Sequence, residues 1–255
     1  MLPHERVTEA LRKRAEPSIV AYLTAGHPKR EAFLETLRRI SAAADAGEIG
    51  VPFSDPMADG VTIQRSSREA IAQGVSLRWI LDELARRDFE LSSPVLLMSY
   101  LNPLLAFGYE ALAARAAEVG VAGFLVPDLP YEESAPLRAA LEPHGLALVQ
   151  FVTPATPLER MDRICAASRG FVYAVTITGI TGGGRALPST LPAYLDAVGR
   201  ASRLPVCAGF GVRNAEQVRG IGKHADGVIV GAALVEVLER GEDPAAFIES
   251  LRGRA

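Results

Sequence analysis

The 255-residue chain is poor in lysine and histidine, has two cysteines and one tryptophan, and contains no long uninterrupted apolar run. Each shortage excludes something. The three lysines, Lys13, Lys29 and Lys223, all fall outside the segments that read as strands. A Schiff-base aldolase needs a desolvated lysine at a strand end, so that mechanism is disfavoured. The four histidines, His4, His27, His144 and His224, are scattered through the N-terminal segment, loops and helix ends without paired ligand spacing. No metal site is expected, which disfavours a metal-dependent aldolase or epimerase. His27 follows the first strand and could touch the site, but it reads more readily as a solvated loop histidine. Cys165 and Cys207 sit in unrelated segments and read as buried, reduced thiols. Pro, Gly or a charge cuts each apolar run short of the ~18 residues a membrane span requires. The opening MLPHERVTEALRKR is charged and helix-like and lacks an apolar secretory core, so a cytoplasmic protein is expected. A net charge of −3 provides no general attraction to nucleic acid or to an anionic membrane.

What the chain does have is apolar sequence, 49% of residues with a mean hydropathy of +0.16, as strands buried on both faces require. Eight short apolar runs recur: 18–23, 47–51, 94–100, 122–126, 146–152, 171–175, 205–210 and 227–232. Stretches with helical spacing separate them, at 30–43, 76–87, 109–119, 132–143, 157–167, 191–201, 215–222 and 244–252. Eight βα repeats in a chain of this length predict an α/β protein, a single (β/α)8 TIM barrel with extra short helices, forming one domain over residues 1–255. A doubly wound open sheet is the runner-up, but it would not need eight repeats.

Barrels of this kind do their chemistry at the C-terminal ends of the strands. There the segment GEIGVPFSDPMADG, residues 47–60, is unusual: Glu48 interrupts an apolar run, and Asp55 and Asp59 follow in the next turn. A carboxyl inside an apolar strand is costly unless paired or protonated, and burial raises its pKa into a range useful for an acid that later acts as a base. The alternative is an outward Glu48 paired with a helix arginine. Asp59 in ADG and Asp55 in SDP also suit plain turn or capping roles, and Tyr173 on the sixth strand suits a core role as well as a catalytic one. Glycine clusters follow three consecutive strands, at 178–184, 208–218 and 230–238, and in the last two, just before a helix, backbone N–H groups can cradle a phosphate. The first of these suits a loop that closes over a substrate.

Seven segments carry a resemblance. AYLTAGHP, EIGVPFSDPMADGVTIQ, LLMSYLNPLLAFGYE, FLVPDLPYEES, TGITGG, AGFGV and ADGVIVGAALV occur in the order found in the tryptophan synthase alpha subunit family, which the chain resembles along nearly its whole length. The resemblance implies a retro-aldol cleavage of indole-3-glycerol phosphate to indole and glyceraldehyde 3-phosphate. It implies no cofactor in this chain and a partner beta subunit that carries pyridoxal phosphate, in an alpha2beta2 assembly. It also implies site residues: Glu48, Asp59 and Tyr173 as catalytic, and Gly182, Gly211, Gly231 and Ala232 as phosphate-binding. Tyr22, Leu97, Leu125, Thr181, Phe210 and Ile229 would line the substrate pocket. Pro52, Asp55, Asn102, Pro103, Leu129 and Pro130 would face the partner.

Three departures from the family pattern stand out. Gly47 precedes Glu48 where a branched residue is usual, Val61 replaces a common Pro, and Ala232 replaces a frequent Ser. Indole-glycerol-phosphate synthase shares the barrel, but its strand lysines are missing here, as are the metal ligands of the ribulose-phosphate epimerases. A stand-alone indole-releasing lyase and a weakly active allosteric subunit remain alternatives at the level of sequence.

Overall fold

A computed structural model describes residues 1–13, 16–176, 189–209 and 211–253. Its eight parallel strands are β1 (Ser18–Thr24), β2 (Ala46–Gly50), β3 (Val95–Met98), β4 (Gly123–Leu125), β5 (Ala147–Val152), β6 (Val172–Val175), β7 (Val206–Gly209) and β8 (Gly227–Val230). They pair in sequence order, and β8 returns to β1 to close the barrel. Twelve α-helices occur among the described residues. In chain order they are α1 (Pro3–Arg12), α2 (Phe33–Ala43), α3 (Val61–Ala72), α4 (Leu77–Arg86), α5 (Leu101–Phe107), α6 (Tyr109–Glu118), α7 (Ala135–Leu141), α8 (Leu158–Ala167), α9 (Leu191–Ala201), α10 (Ala215–Ile221), α11 (Ala232–Glu239) and α12 (Pro244–Leu251). None is long and apolar enough to cross a membrane.

Alternation along the strands sorts side chains into two layers. Ile19, Ala21 and Leu23 of β1, Val95 and Leu97 of β3, and Phe124 of β4 pack outward against the helices. Val20, Leu96, Leu125, Val149, Phe171, Tyr173, Cys207 and Ile229 fill the barrel interior. The outer layer is the larger core, and it makes the strands apolar on both faces. Helix α1 closes the N-terminal end. Its Val7 and Leu11 enter the interior cluster, His4 Nδ1 lies 2.8 Å from the Gly145 carbonyl, and Thr8 Oγ1 donates to the Gly170 carbonyl at 2.7 Å.

The expected strands all form, with trimmed ends: β3 stops at Met98, and β8 stops at Val230 because α11 begins at Ala232. Helices α3 and α5 occupy loops that carried no helical assignment. Pro103 inside α5 hid it, although a proline in a first turn removes no intrahelical hydrogen bond. His27 is a correction. It is no solvated loop residue, since its side chain is 1% exposed and lies 3.3 Å from Glu69 Oε2 and 3.2 Å from Glu239 Oε1. Both thiols are buried and free.

Candidate active site

Inward positions on adjacent strands converge at the C-terminal mouth. The β1–β2 register sets Tyr22 opposite Glu48, and Leu96 of β3 faces Glu48 on the other side. Glu48 points inward rather than to a helix arginine. It is 1% exposed, and its Oε1 has no hydrogen-bond partner among the described residues. Burial alone pushes its carboxyl up to about 8, so at neutral pH it is protonated.

Asp59 sits in the turn after β2 that ends at α3, half-buried at the rim. Its Oδ2 accepts a hydrogen bond from the Tyr100 hydroxyl at 2.9 Å, and that hydroxyl also accepts from the Ala58 N–H at 2.9 Å. Tyr100 stacks on Phe53, with centroids 5.2 Å apart, so the tyrosine ties loop residues 53, 58 and 59 to the end of β3. Burial raises Asp59 to about 6 while the Tyr100 hydroxyl works in the opposite direction. The two carboxyls are thereby separated, one neutral and one charged at pH 7.

Two tyrosines fold over glycines. A Cβ on Gly50 would collide with the Tyr22 hydroxyl, and one on Gly209 would collide with the Tyr173 hydroxyl. In both cases the glycine lies on the next strand, opposite the residue two beyond the tyrosine: Thr24 faces Gly50 and Val175 faces Gly209. Tyr173 packs on Phe151 at 4.7 Å. Burial, followed by the nearby Glu48 and Asp59, drives its phenol well above the usual range.

The site thus brings a neutral buried carboxyl, a charged rim carboxylate and tyrosine hydroxyls around one mouth. A family model described as "Tryptophan synthase alpha chain" matches residues 8–252. The tryptophan synthase alpha chain of Roseiflexus sp. (strain RS-1) is 45% identical over 95% of this chain and 96% of its own length. That of Solidesulfovibrio magneticus is 41% identical over 97% of each. The chain belongs to the tryptophan synthase alpha chain family. Solved structures agree: one of Mycobacterium tuberculosis tryptophan synthase superposes with a TM-score of 0.89 at 33% identity, covering 99% of this chain and 98% of that one. The alpha subunit from Legionella pneumophila str. Paris gives 0.85 at 32% identity, covering 100% and 98%. The family's activity, cleavage of indole-3-glycerol phosphate to indole and glyceraldehyde 3-phosphate, makes the chain a carbon–carbon lyase of tryptophan biosynthesis.

The remaining tryptophan synthase alpha positions can be located in the same frame. Leu125 and Ile229 face the interior, but Leu97 does not. It packs outward against the helices, and the mouth-facing residue of β3 is Met98, which contacts the cluster of Tyr22, Ile63 and Val235. Gly211, with φ +83°, follows β7, while Gly231 precedes α11 and Ala232 opens it without a side-chain cap. Thr181, Gly182 and Phe210 lie outside the described residues, as does the loop 178–184. On the rim, Asp55, Asn102 and Pro130 are exposed, Pro103 and Leu129 half-buried, and Pro52 buried. The space beside Gly47 is filled from the opposite strand, since a Cβ there would stand 3.1 Å from Val95 Cγ1. Val61 is the first residue of α3, where Pro would also be well suited.

Proposed function

We propose that Glu48 is the general acid and base of the cleavage and that Asp59 binds the indole N–H. Protonated Glu48 delivers its proton to the ring carbon that carries the glycerol phosphate. The positive charge that develops on the ring nitrogen is stabilised by ionised Asp59. The Glu48 carboxylate then takes the proton of the hydroxyl on the adjoining side-chain carbon. As that O–H bond breaks, a carbonyl forms, the carbon–carbon bond breaks, and its electron pair returns to the ring. Indole and the aldehyde leave with Glu48 protonated again. Tyr173 shapes the site beside Glu48, and the backbone at Gly211, Gly231 and Ala232 receives the phosphate, together with Gly182. The observation that carries the reading is the inward Glu48 carboxyl, buried and held up to about 8.

Activity then needs Glu48 protonated and Asp59 ionised. The pH profile of kcat/KM should rise through about 6 and fall through about 8. Glu48→Gln and Asp59→Asn should each lower indole release at least about 10²-fold with the circular dichroism spectrum unchanged. Near-full activity of Glu48→Gln would refute the assignment.

The second part of the proposal is the partner, a beta subunit bearing pyridoxal phosphate, in an alpha2beta2 complex in the cytoplasm. Indole is apolar and would escape into solvent, so the mouth should dock on the enzyme that consumes it. Met57, 82% exposed in the loop after β2, and Leu105, 52% exposed on α5, supply apolar area on this rim. Asp55, Asn102, Pro103, Leu129 and Pro130 belong to the same face. Indole release measured alone and with excess beta subunit separates a partnered subunit, whose rate rises, from a stand-alone lyase, whose rate does not.

A further inference from the structure

Tyr22 belongs to a chain of buried hydroxyls whose direction can be worked out from its end. Ser66 Oγ of α3 donates to the Ile63 carbonyl at 2.9 Å, and a carbonyl can only accept. That contact uses the single proton of Ser66. Thr24 Oγ1, 2.7 Å from Ser66 Oγ, must therefore be the donor to it. The proton of Thr24 is then committed as well, so across the 3.2 Å contact between Tyr22 and Thr24 the donor is Tyr22. Thr24 and Ser66 are buried, and water does not compete for these protons. The phenolic oxygen is left with lone pairs and no proton to offer. Burial, followed by the charge of Asp59, raises the phenol far above its ordinary range, so the group stays neutral at any working pH.

The position of this oxygen is equally restricted. It fills the space a Gly50 side chain would take, two residues beyond Glu48 on the inward face of β2. The tyrosine's Cβ and ring edge lie 3.8 Å from the Cβ position of Gly231. Strand β1 stands between β2 and β8, and Ala21 pairs with Val230, so Glu48, Tyr22 and Gly231 form one row over three adjacent strands. On the reading above, the reacting ring carbon sits at Glu48 and the phosphate at Gly231 and Ala232. The three-carbon chain joining them must cross Tyr22.

We propose that Tyr22 is a specificity-determining residue whose oxygen accepts a hydrogen bond from the middle, non-reacting hydroxyl of the glycerol phosphate chain. The inference rests on the assignment of Glu48 and of the phosphate end. An acceptor-only oxygen selects a donor at that carbon and rejects an analogue with a hydrogen or a carbonyl there.

The test is a two-by-two comparison: wild type and Tyr22→Phe, each with indole-3-glycerol phosphate and with its analogue lacking the middle hydroxyl. Tyr22→Phe should lower kcat/KM about tenfold on the full substrate and by much less on the analogue. Equal loss on both substrates would make Tyr22 a packing residue and overturn the proposal, and so would no loss on either. Thr24→Val, which frees the Tyr22 proton to turn into the site, should also shrink the preference for the full substrate; an unchanged preference would overturn the directed chain. Glu48→Gln assayed alongside keeps the two readings apart. Its failure to lower the rate refutes the acid–base assignment, whereas the Tyr22 result is read from the ratio between substrates.

Discussion

Asp45 and Glu48 are three residues apart, one at the entrance to β2 and the other within it, and their surroundings are opposite. Asp45 Oδ2 accepts from the Ile19 N–H at 2.8 Å and from Arg252 Nη2 at 2.7 Å, in a pair whose side chains are 6% and 1% exposed. Glu48 is as deeply buried, yet its Oε1 has no partner among the described residues. At the foot of the barrel a carboxylate is satisfied and locks α12 onto the β1–β2 edge. At the mouth the nearest carboxyl of the same chain segment keeps a buried oxygen, Oε1, without a partner among the described residues. Burial without a partner penalises the charged carboxyl and so favours its protonation, which is the property the mechanism proposed for Glu48 uses.

The foot of the barrel depends on its ion pair most strongly at Asp45. Asp45→Ala leaves the Arg252 guanidinium buried without its carboxylate and should destabilise the protein by about 3–5 kcal/mol. Chemical denaturation measures this, and the folded fraction should keep its catalytic rate. A loss under ~1 kcal/mol would mean that the foot is no more dependent on pairing than the mouth.

At Glu48 the sign reverses. The folded pKa of about 8 exceeds the ordinary 4.5, so the native state binds this proton more tightly than the unfolded chain does. The group's contribution is fully present below pH 4.5 and is lost as pH rises toward 8. Glu48→Gln should therefore be neutral near pH 4 and stabilising by on the order of 3 kcal/mol at pH 7. Unfolding free energies at the two pH values decide it. A variant no more stable than wild type at pH 7 would show that Glu48 is paired in solution.

Asp59 lies between these extremes, with one donor from Tyr100. Tyr100→Phe removes a contact that favours the charged form, so the acid limb of the pH profile should move upward from about 6. The rate at pH 7 should fall about tenfold or less. An acid limb that stays in place would show that the Tyr100 contact is absent from the working enzyme.

Much of this was visible in the sequence. The strands are legible because they are short apolar runs, mostly ended by a turn residue, and Glu48 stands out as a charge inside such a run. Which face a residue takes was harder to read. Strands buried on both sides have no polar alternation, and nothing in LLM separates outward Leu97 from inward Met98. Contacts between distant segments were also hidden. Tyr100 meets Asp59 across 41 positions, and His27 meets Glu239 across 212. A tyrosine just past the end of a barrel strand was the available signal for Tyr100. For His27, both carboxylates come from other elements, and the local sequence carries none.

Helix α1 has a consequence in time. It is synthesised before its anchors, the carbonyls of Gly145 and Gly170, which lie 141 and 162 residues further along the chain. Until those segments have emerged and β5 and β6 have paired, Val7 and Leu11 have no barrel interior to enter. Closure of β1 onto β8 waits longer still, since Ser18 pairs with Gly227. A nascent chain therefore carries an uncovered amphipathic helix until those segments emerge, and contacts at such separations form slowly. The end of the barrel that does no chemistry is the one whose late completion governs how long the newborn protein exposes apolar surface to its neighbours.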